Sequence, residues 1–160
     1  MTCTIISTGE ELLADNKNEY EPLYLRIKAE LHMLIGGLYM QGYNSFYCNC
    51  EYGIPLWAAE IIGSLKQFHD NIQLHIVTPY EEQAVQWTEE YRDRWFRVHE
   101  RADSVILATT QYHPDCYSEA DRMMIEKSDL LVIYGKEDNL PDAVKYAEAQ
   151  GVEIFRASML

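Results

Sequence analysis

Short apolar runs alternate along this chain with segments in which apolar residues recur every three or four positions. Cys3-Thr4-Ile5-Ile6-Ser7 reads as a strand. Pro22 then opens a helix, since proline is tolerated in the first turn. Leu23, Ile27, Leu31, Leu34 and Leu38 fall on one helical face, and Gly42 closes it as a C-cap would. Phe46 to Cys50 is a second strand, followed by a helix from about Pro55 to Phe68. Leu74-His75-Ile76-Val77 is a third strand, ended by Pro79. Ala84, Trp87, Tyr91, Trp95 and Val98 trace the stripe of a long helix to about Arg101. Val105 to Ala108 is a fourth strand. Ser118, with Asp121 three residues on, reads as the N-cap of a short helix carrying Met123 and Met124. Leu130 to Tyr134 is a fifth strand, Pro141 to Gly151 brackets a last helix, and Val152 to Phe155 is a sixth strand.

Strands that alternate with helices require crossover connections, hence parallel pairing and helices on both faces. Nearly continuous apolar runs are what doubly covered strands need. The expected fold is α/β: three layers around a mostly parallel sheet of about six strands. No repeat, low-complexity tract or linker interrupts the chain, so residues 1–160 are expected to form a single domain. In such sheets ligands bind beyond the carboxyl ends of the strands. That rule gathers five loops: Thr8-Gly9, Asn49 to Gly53, Thr78 to Tyr80, Thr109 to Pro114, and Tyr134 to Asn139.

Composition narrows the partners. The formal charge of −13 opposes nucleic acid and anionic membrane, whose binding rests on Lys and Arg neutralising phosphates. It serves solubility, and a cationic partner stays open. No stretch approaches the roughly 20 apolar residues of a membrane span. The first residues carry no basic segment ahead of an apolar run, so a cytoplasmic location is expected, with reduced cysteines. Twelve Tyr and three Trp supply aromatic area for the core.

The candidate chemistry is sparse. Thr8-Gly9 ends the first strand where a backbone could cradle a phosphate, and Gly53 precedes a helix whose amino end could hold an anion. Both are also ordinary turn glycines, Glu51 repels an anion, and no G-x-G-x-x-G or Walker lysine motif is present. Cys48-x-Cys50 and His113-x-x-Cys116 lack the four closed ligands of a zinc site, and no metal or cofactor is expected. Glu60 is either a carboxylate for acid–base work or a solvated helix charge. Arg122 either holds a phosphate or pairs with Asp121, Glu119 or Glu126. Trp57 and Tyr80 are either stacking platforms for a base or core residues.

Taken together these residues resemble a known family. Gly53-Ile54-Pro55-Leu56-Trp57-Ala58-Ala59-Glu60 resembles the G-x-D/E-L-W/Y-x-A-E helix start of the YpsA-like proteins. The likeness continues through Thr78 to Gln83, Trp87 and Tyr91, then Tyr112 to Tyr117, Met124 to Leu131, Tyr146-Ala147 and Gly151 to Ile154. These are small bacterial proteins of unknown function in the SLOG superfamily, which includes DNA-processing protein A and the Lonely-guy phosphoribohydrolases. The resemblance implies a Rossmann-like fold and a pocket for a nucleotide or nucleotide-derived ligand. Thr8, Gly9, Gly53, Trp57, Glu60, Thr78, Tyr80, Arg122 and Tyr134 would line it.

The chain departs from the family at its anion-holding parts. Where the family's first strand ends in T-G-H-R-P, this chain has Thr8-Gly9-Glu10-Glu11-Leu12. The loop S/C-G-M-A-x-G-x-D is here Cys48-Asn49-Cys50-Glu51-Tyr52-Gly53-Ile54-Pro55, with one glycine kept. The family's R-R-N corresponds to Glu119-Ala120-Asp121, and its G-G-T to Leu140-Pro141-Asp142. A carboxylate a few ångströms from a phosphate costs about 1–4 kcal/mol at effective dielectrics of 80 to 20. The expectation is therefore a remodelled pocket that binds or senses a small ligand without turnover. Two alternatives stand beside it: an N-glycosidic hydrolase with Glu60 as carboxylate and Arg122 as anchor, and an acidic protein-interaction domain. Self-association is left open.

Overall fold

A computed structural model of the chain describes residues 1–7, 19–135 and 141–157. Its elements run β1 (Thr2–Ser7), α1 (Pro22–Met40), β2 (Ser45–Cys48), α2 (Ile54–Leu65), β3 (Gln73–Tyr80), α3 (Glu89–Arg101), β4 (Ser104–Thr109), α4 (Cys116–Glu126), β5 (Leu130–Tyr134), α5 (Pro141–Gln150) and β6 (Glu153–Ala157). The strands form one sheet in the order β4-β3-β2-β1-β5-β6, and all five pairings are parallel. The expectation of a three-layer Rossmann-like α/β fold holds.

Two cores flank the sheet. On one face Ile5, Phe46, Leu74, Ile76 and Val132 pack under α1 and α2 through Ile27, Leu31, Ile35, Trp57 and Ile62. On the other, Ile6, Val77, Leu131 and Ile133 pack under α4 and α5 through Ala120, Met124, Ile125, Ala143 and Ala147. Ile5 and Ile6 are adjacent yet belong to opposite cores, as side chains of a strand alternate across the sheet. All five β5 residues are buried, because this strand is covered on both faces.

Two helices end as their glycines require. Gly42 (φ 101) and Gly151 (φ 72) take the left-handed conformation. In each case the next residue's N–H turns back to the helix, Tyr43 to the Leu38 carbonyl and Val152 to the Ala147 carbonyl. Paired with the Gly42→Tyr39 and Gly151→Glu148 bonds, this is the Schellman arrangement.

Four local expectations need correction. Helix α3 begins at Glu89, with Thr88 as N-cap, and residues 81–87 form turns. Trp87 packs against the core under α1 and α2 from within those turns and Ala84 is buried there, so both keep the apolar spacing without being helical. Strand β3 does not stop at Pro79. Its register with β2 ends at Ile76, so Pro79 has no β2 neighbour to which an N–H would be donated, and β3 runs on beside β4 to Tyr80. Helix α4 starts at Cys116 after Asp115, so Ser118 lies inside it. In α1 the buried stripe is Tyr24, Ile27, Leu31, Ile35 and Leu38, and Leu23 is exposed.

Candidate functional site

The strand order places a switch point at β1. Its crossover through α1 leads to β2 on one side, while α4 delivers the chain to β5 on the other. In sheets of this topology ligands bind beyond the carboxyl ends of the strands that flank such a point, here β1 and β5. Thr8 and Gly9, expected there, lie outside the described residues. Ser7 Oγ donates to the Tyr134 carbonyl at 2.8 Å, tying the last residues of the two strands together. Tyr134 is buried, and its hydroxyl donates to Glu30 of α1 at 2.5 Å. Burial, with the Glu30 carboxylate second, raises its pKa.

The loop after β2 is the best-defined wall. Asn49 is buried, and its side-chain oxygen accepts the Glu51 N–H at 2.9 Å, closing an Asx turn. Its amide nitrogen donates to Asp121 Oδ1 at 3.1 Å, and its backbone carbonyl accepts from Gln83 Nε2 at 3.1 Å. Gln83 is itself buried and accepts from Trp95 Nε1 at 2.9 Å. Asn49 thus joins the β2 loop to α4, and through Gln83 to α3. Cys50 follows with φ 54, a left-handed backbone that a residue with a Cβ adopts only under constraint. Gly53 (φ 105) then starts α2.

That helix start offers an anion little. Pro55 has no N–H. The Leu56 N–H goes to the Glu51 carbonyl at 3.1 Å, and that of Trp57 to the Gly53 carbonyl at 3.0 Å. Across the loop, burial raises the Asp121 carboxyl to about 7, opposed by the Asn49 hydrogen bond. Asp121 is therefore near its titration midpoint at neutral pH.

The remaining expected residues separate. Thr78 is buried and its hydroxyl meets His99 Nε2 at 3.2 Å. Tyr80 is half-buried and edge-on to Tyr112 and Tyr117, with ring centroids 5.2 and 6.4 Å away. Trp57 lies in the core, edge-on to Tyr24 at 6.1 Å. Arg122 is exposed on α4 and stacks over Tyr146 of α5 at 5.5 Å. Glu60 lies on α2, on the opposite face of the sheet from Arg122. Both its oxygens accept from Arg94 of α3, from Nε at 3.0 Å and from Nη2 at 2.6 Å. The proposed pair of Glu60 as carboxylate and Arg122 as anchor is not brought together.

The other edge of Arg94 forks onto Glu19, at 2.6 and 2.8 Å. Glu19 is 7% exposed and also takes Lys28 at 2.6 Å and the Tyr91 hydroxyl at 3.0 Å. Burial opposes its charge, but Arg94 and Lys28 prevail and hold its pKa down at about 2. This four-charge cluster ties the residue leading into α1 to α2 and α3. Sequence reasoning missed Glu19, Gln83, Asn49 and Asp121 as organising residues. Each has a partner 34 to 75 positions away, and only polar residues interrupting apolar surroundings signalled them.

The thiols are withdrawn from solvent. All four cysteines are free and buried. Burial pushes Cys48 up to about 12 and raises Cys3 and Cys50 as well. Among the described residues no three His, Cys, Asp or Glu converge as metal ligands, and no helix is long and apolar enough to cross a membrane.

Comparison with known proteins places the chain. The family model YpsA, described as the YspA SLOG family, matches residues 13–156. A UPF0398 protein of Halalkalibacterium halodurans is 35% identical over 114 residues, 69% of this chain and 60% of that protein. UPF0398 proteins of Staphylococcus aureus strains JH9 and JH1 are each 27% identical over 145 residues, 86% of this chain and 75% of theirs. The chain therefore spans less than two thirds of the first relative's length. With a matching family model over most of its length and the fold that family's resemblance implied, the chain belongs to the YpsA family of SLOG proteins.

Proposed function

We propose that this chain binds or senses a small ligand, nucleotide-derived or similar, beyond the carboxyl ends of β1, β2 and β5, without turning it over. The observation that carries this reading is the Asn49 hub. Three elements are spent on fixing one loop at the strand ends, with a left-handed Cys50 beside it. Strained backbone held by a satisfied polar network is typical of sites that must present groups in a set geometry.

The ligand is held chiefly through hydrogen bonds to the loop that Asn49 fixes and to Asp121 beside it, with phosphate contributing little. Support comes from the N–H groups already used at the α2 start and from Arg122 lying over Tyr146. A non-catalytic role is supported by Glu60, whose two oxygens are both engaged by Arg94. A general acid or base needs a free position within reach of the proton it moves.

A thermal-shift screen tests this reading, using nucleosides, mononucleotides, NAD and ADP-ribose. A nucleoside-type compound should stabilise the protein by mass action, and Asn49→Ala should abolish that gain. Stabilisation that needs the phosphate, or that survives Asn49→Ala, would defeat it.

A further inference from the structure

A second pocket lies away from the strand ends. It is a groove of about 190 Å³ among α1, α2 and α3, lined by Lys28, His32, Trp57, Glu60, Ser64 and Arg94 among others. Trp57 is 2% exposed, and its indole N–H is the buried side-chain polar group left without a partner among the described residues. A buried donor with no acceptor is disfavoured, and native proteins nearly always satisfy such groups.

The chemistry around it is unevenly spent. Both Glu60 oxygens accept from Arg94, so the groove's carboxylate has little left to offer a cation. The face of the Trp57 ring is taken by the Lys28 ammonium, 4.9 Å from its centroid. Lys28 gives one contact to Glu19 and has further N–H groups. The Ser64 hydroxyl is exposed. What remains available is mostly donors: the Trp57 indole N–H, the Lys28 ammonium and Ser64. The first two belong to residues that line the same groove, with the ammonium 4.9 Å from the centre of the ring that carries the N–H. The volume is below that of a nucleotide-sized pocket and suits a molecule of a few carbons.

We infer that this groove is a second binding site, for a small carboxylate that accepts from the Trp57 indole N–H and the Lys28 ammonium. It differs from the strand-end crevice in residues and in ligand charge, so either site can fail without the other.

Titration of the ¹⁵N-labelled chain with succinate, against chloride at matched ionic strength, tests it. The indole resonance missing in Trp57→Phe is that of Trp57. It should move saturably with succinate and not with chloride, while those of Trp87 and Trp95 stay in place. Lys28→Met should weaken the effect at least about tenfold, as expected for losing a charged hydrogen bond. Trp57→Phe, which keeps a ring, should weaken succinate binding similarly when read by thermal shift. An unmoved indole resonance, an equal response to chloride, or undiminished binding in Lys28→Met would overturn the site. If Trp57→Phe fails to fold, the wild-type titration and Lys28→Met decide.

Discussion

Asp121→Asn should stabilise this protein more at alkaline pH than in mild acid. The Asp121 carboxyl is raised from 3.8 to about 7 by burial, so the folded state holds a proton that the unfolded chain has released between those values. Where the native state binds more protons, stability falls as pH rises. The loss therefore begins near pH 4 and is complete above pH 7. Three pKa units correspond to at most about 4 kcal/mol, and relaxation around the charged form makes about 2–4 kcal/mol the working range. Asparagine has nearly the same shape, never ionises, and can still accept from the Asn49 amide. Urea denaturation of both proteins at about pH 5 and about pH 8.5 reads the difference. A gain of about 1–1.5 kcal/mol is expected at the lower pH, where over a third of the loss is already present, and about 2–4 kcal/mol at the higher, equivalent to roughly 5–10 °C in Tm. Equal effects at the two pH values would mean that Asp121 is ionised throughout, and the burial argument would fail.

Further outcomes can be checked alongside. Arg94→Met leaves Glu19 and Glu60 facing each other without their shared cation, and should cost about 3–5 kcal/mol by denaturant titration. Glu19 has the opposite pH sign from Asp121: its pKa is lowered from 4.5 to about 2, so the stability it contributes is full above pH 4.5 and is lost as pH falls towards 2. Glu19→Gln should flatten that acid limb, and an unchanged limb would locate the titration elsewhere. Gly151→Ala meets nothing within 4 Å of the new Cβ, so its whole cost is the left-handed backbone (φ 72), about 1 kcal/mol. A larger loss would point to a clash the geometry does not contain.

The layers of the fold were legible because burial on both faces leaves a strong mark. β5 is five consecutive buried residues and reads as a strand at once. Helix ends at Gly42 and Gly151 were equally plain, since each needs positive φ. The start of α3 was not, because Ala84 and Trp87 keep helical spacing while lying in turns, and periodicity does not distinguish the two. The end of β3 was misjudged because proline is excluded only where its N–H would face a neighbour. Whether β2 reaches Pro79 is a tertiary fact. The candidate site was the least legible part. Glu60 looked like a free carboxylate in a helix, and its Arg94 lies 34 residues on. Asp121 looked like a helix-capping or ion-pairing residue, yet its partner is Asn49, 72 residues earlier. Hydrogen bonds between distant residues leave no periodic trace.

On the reading proposed above, the strand ends bind a ligand without turning it over. Its most direct test is an amide chemical-shift map of the ¹⁵N-labelled protein with a nucleoside that raises its Tm, the same sample then being assayed for product by mass spectrometry. The expected result is a compact set of shifts at Asn49 to Gly53, Asp121 and Gly135, with the nucleoside intact. Shifts confined to other surfaces, or release of a free base, would contradict it.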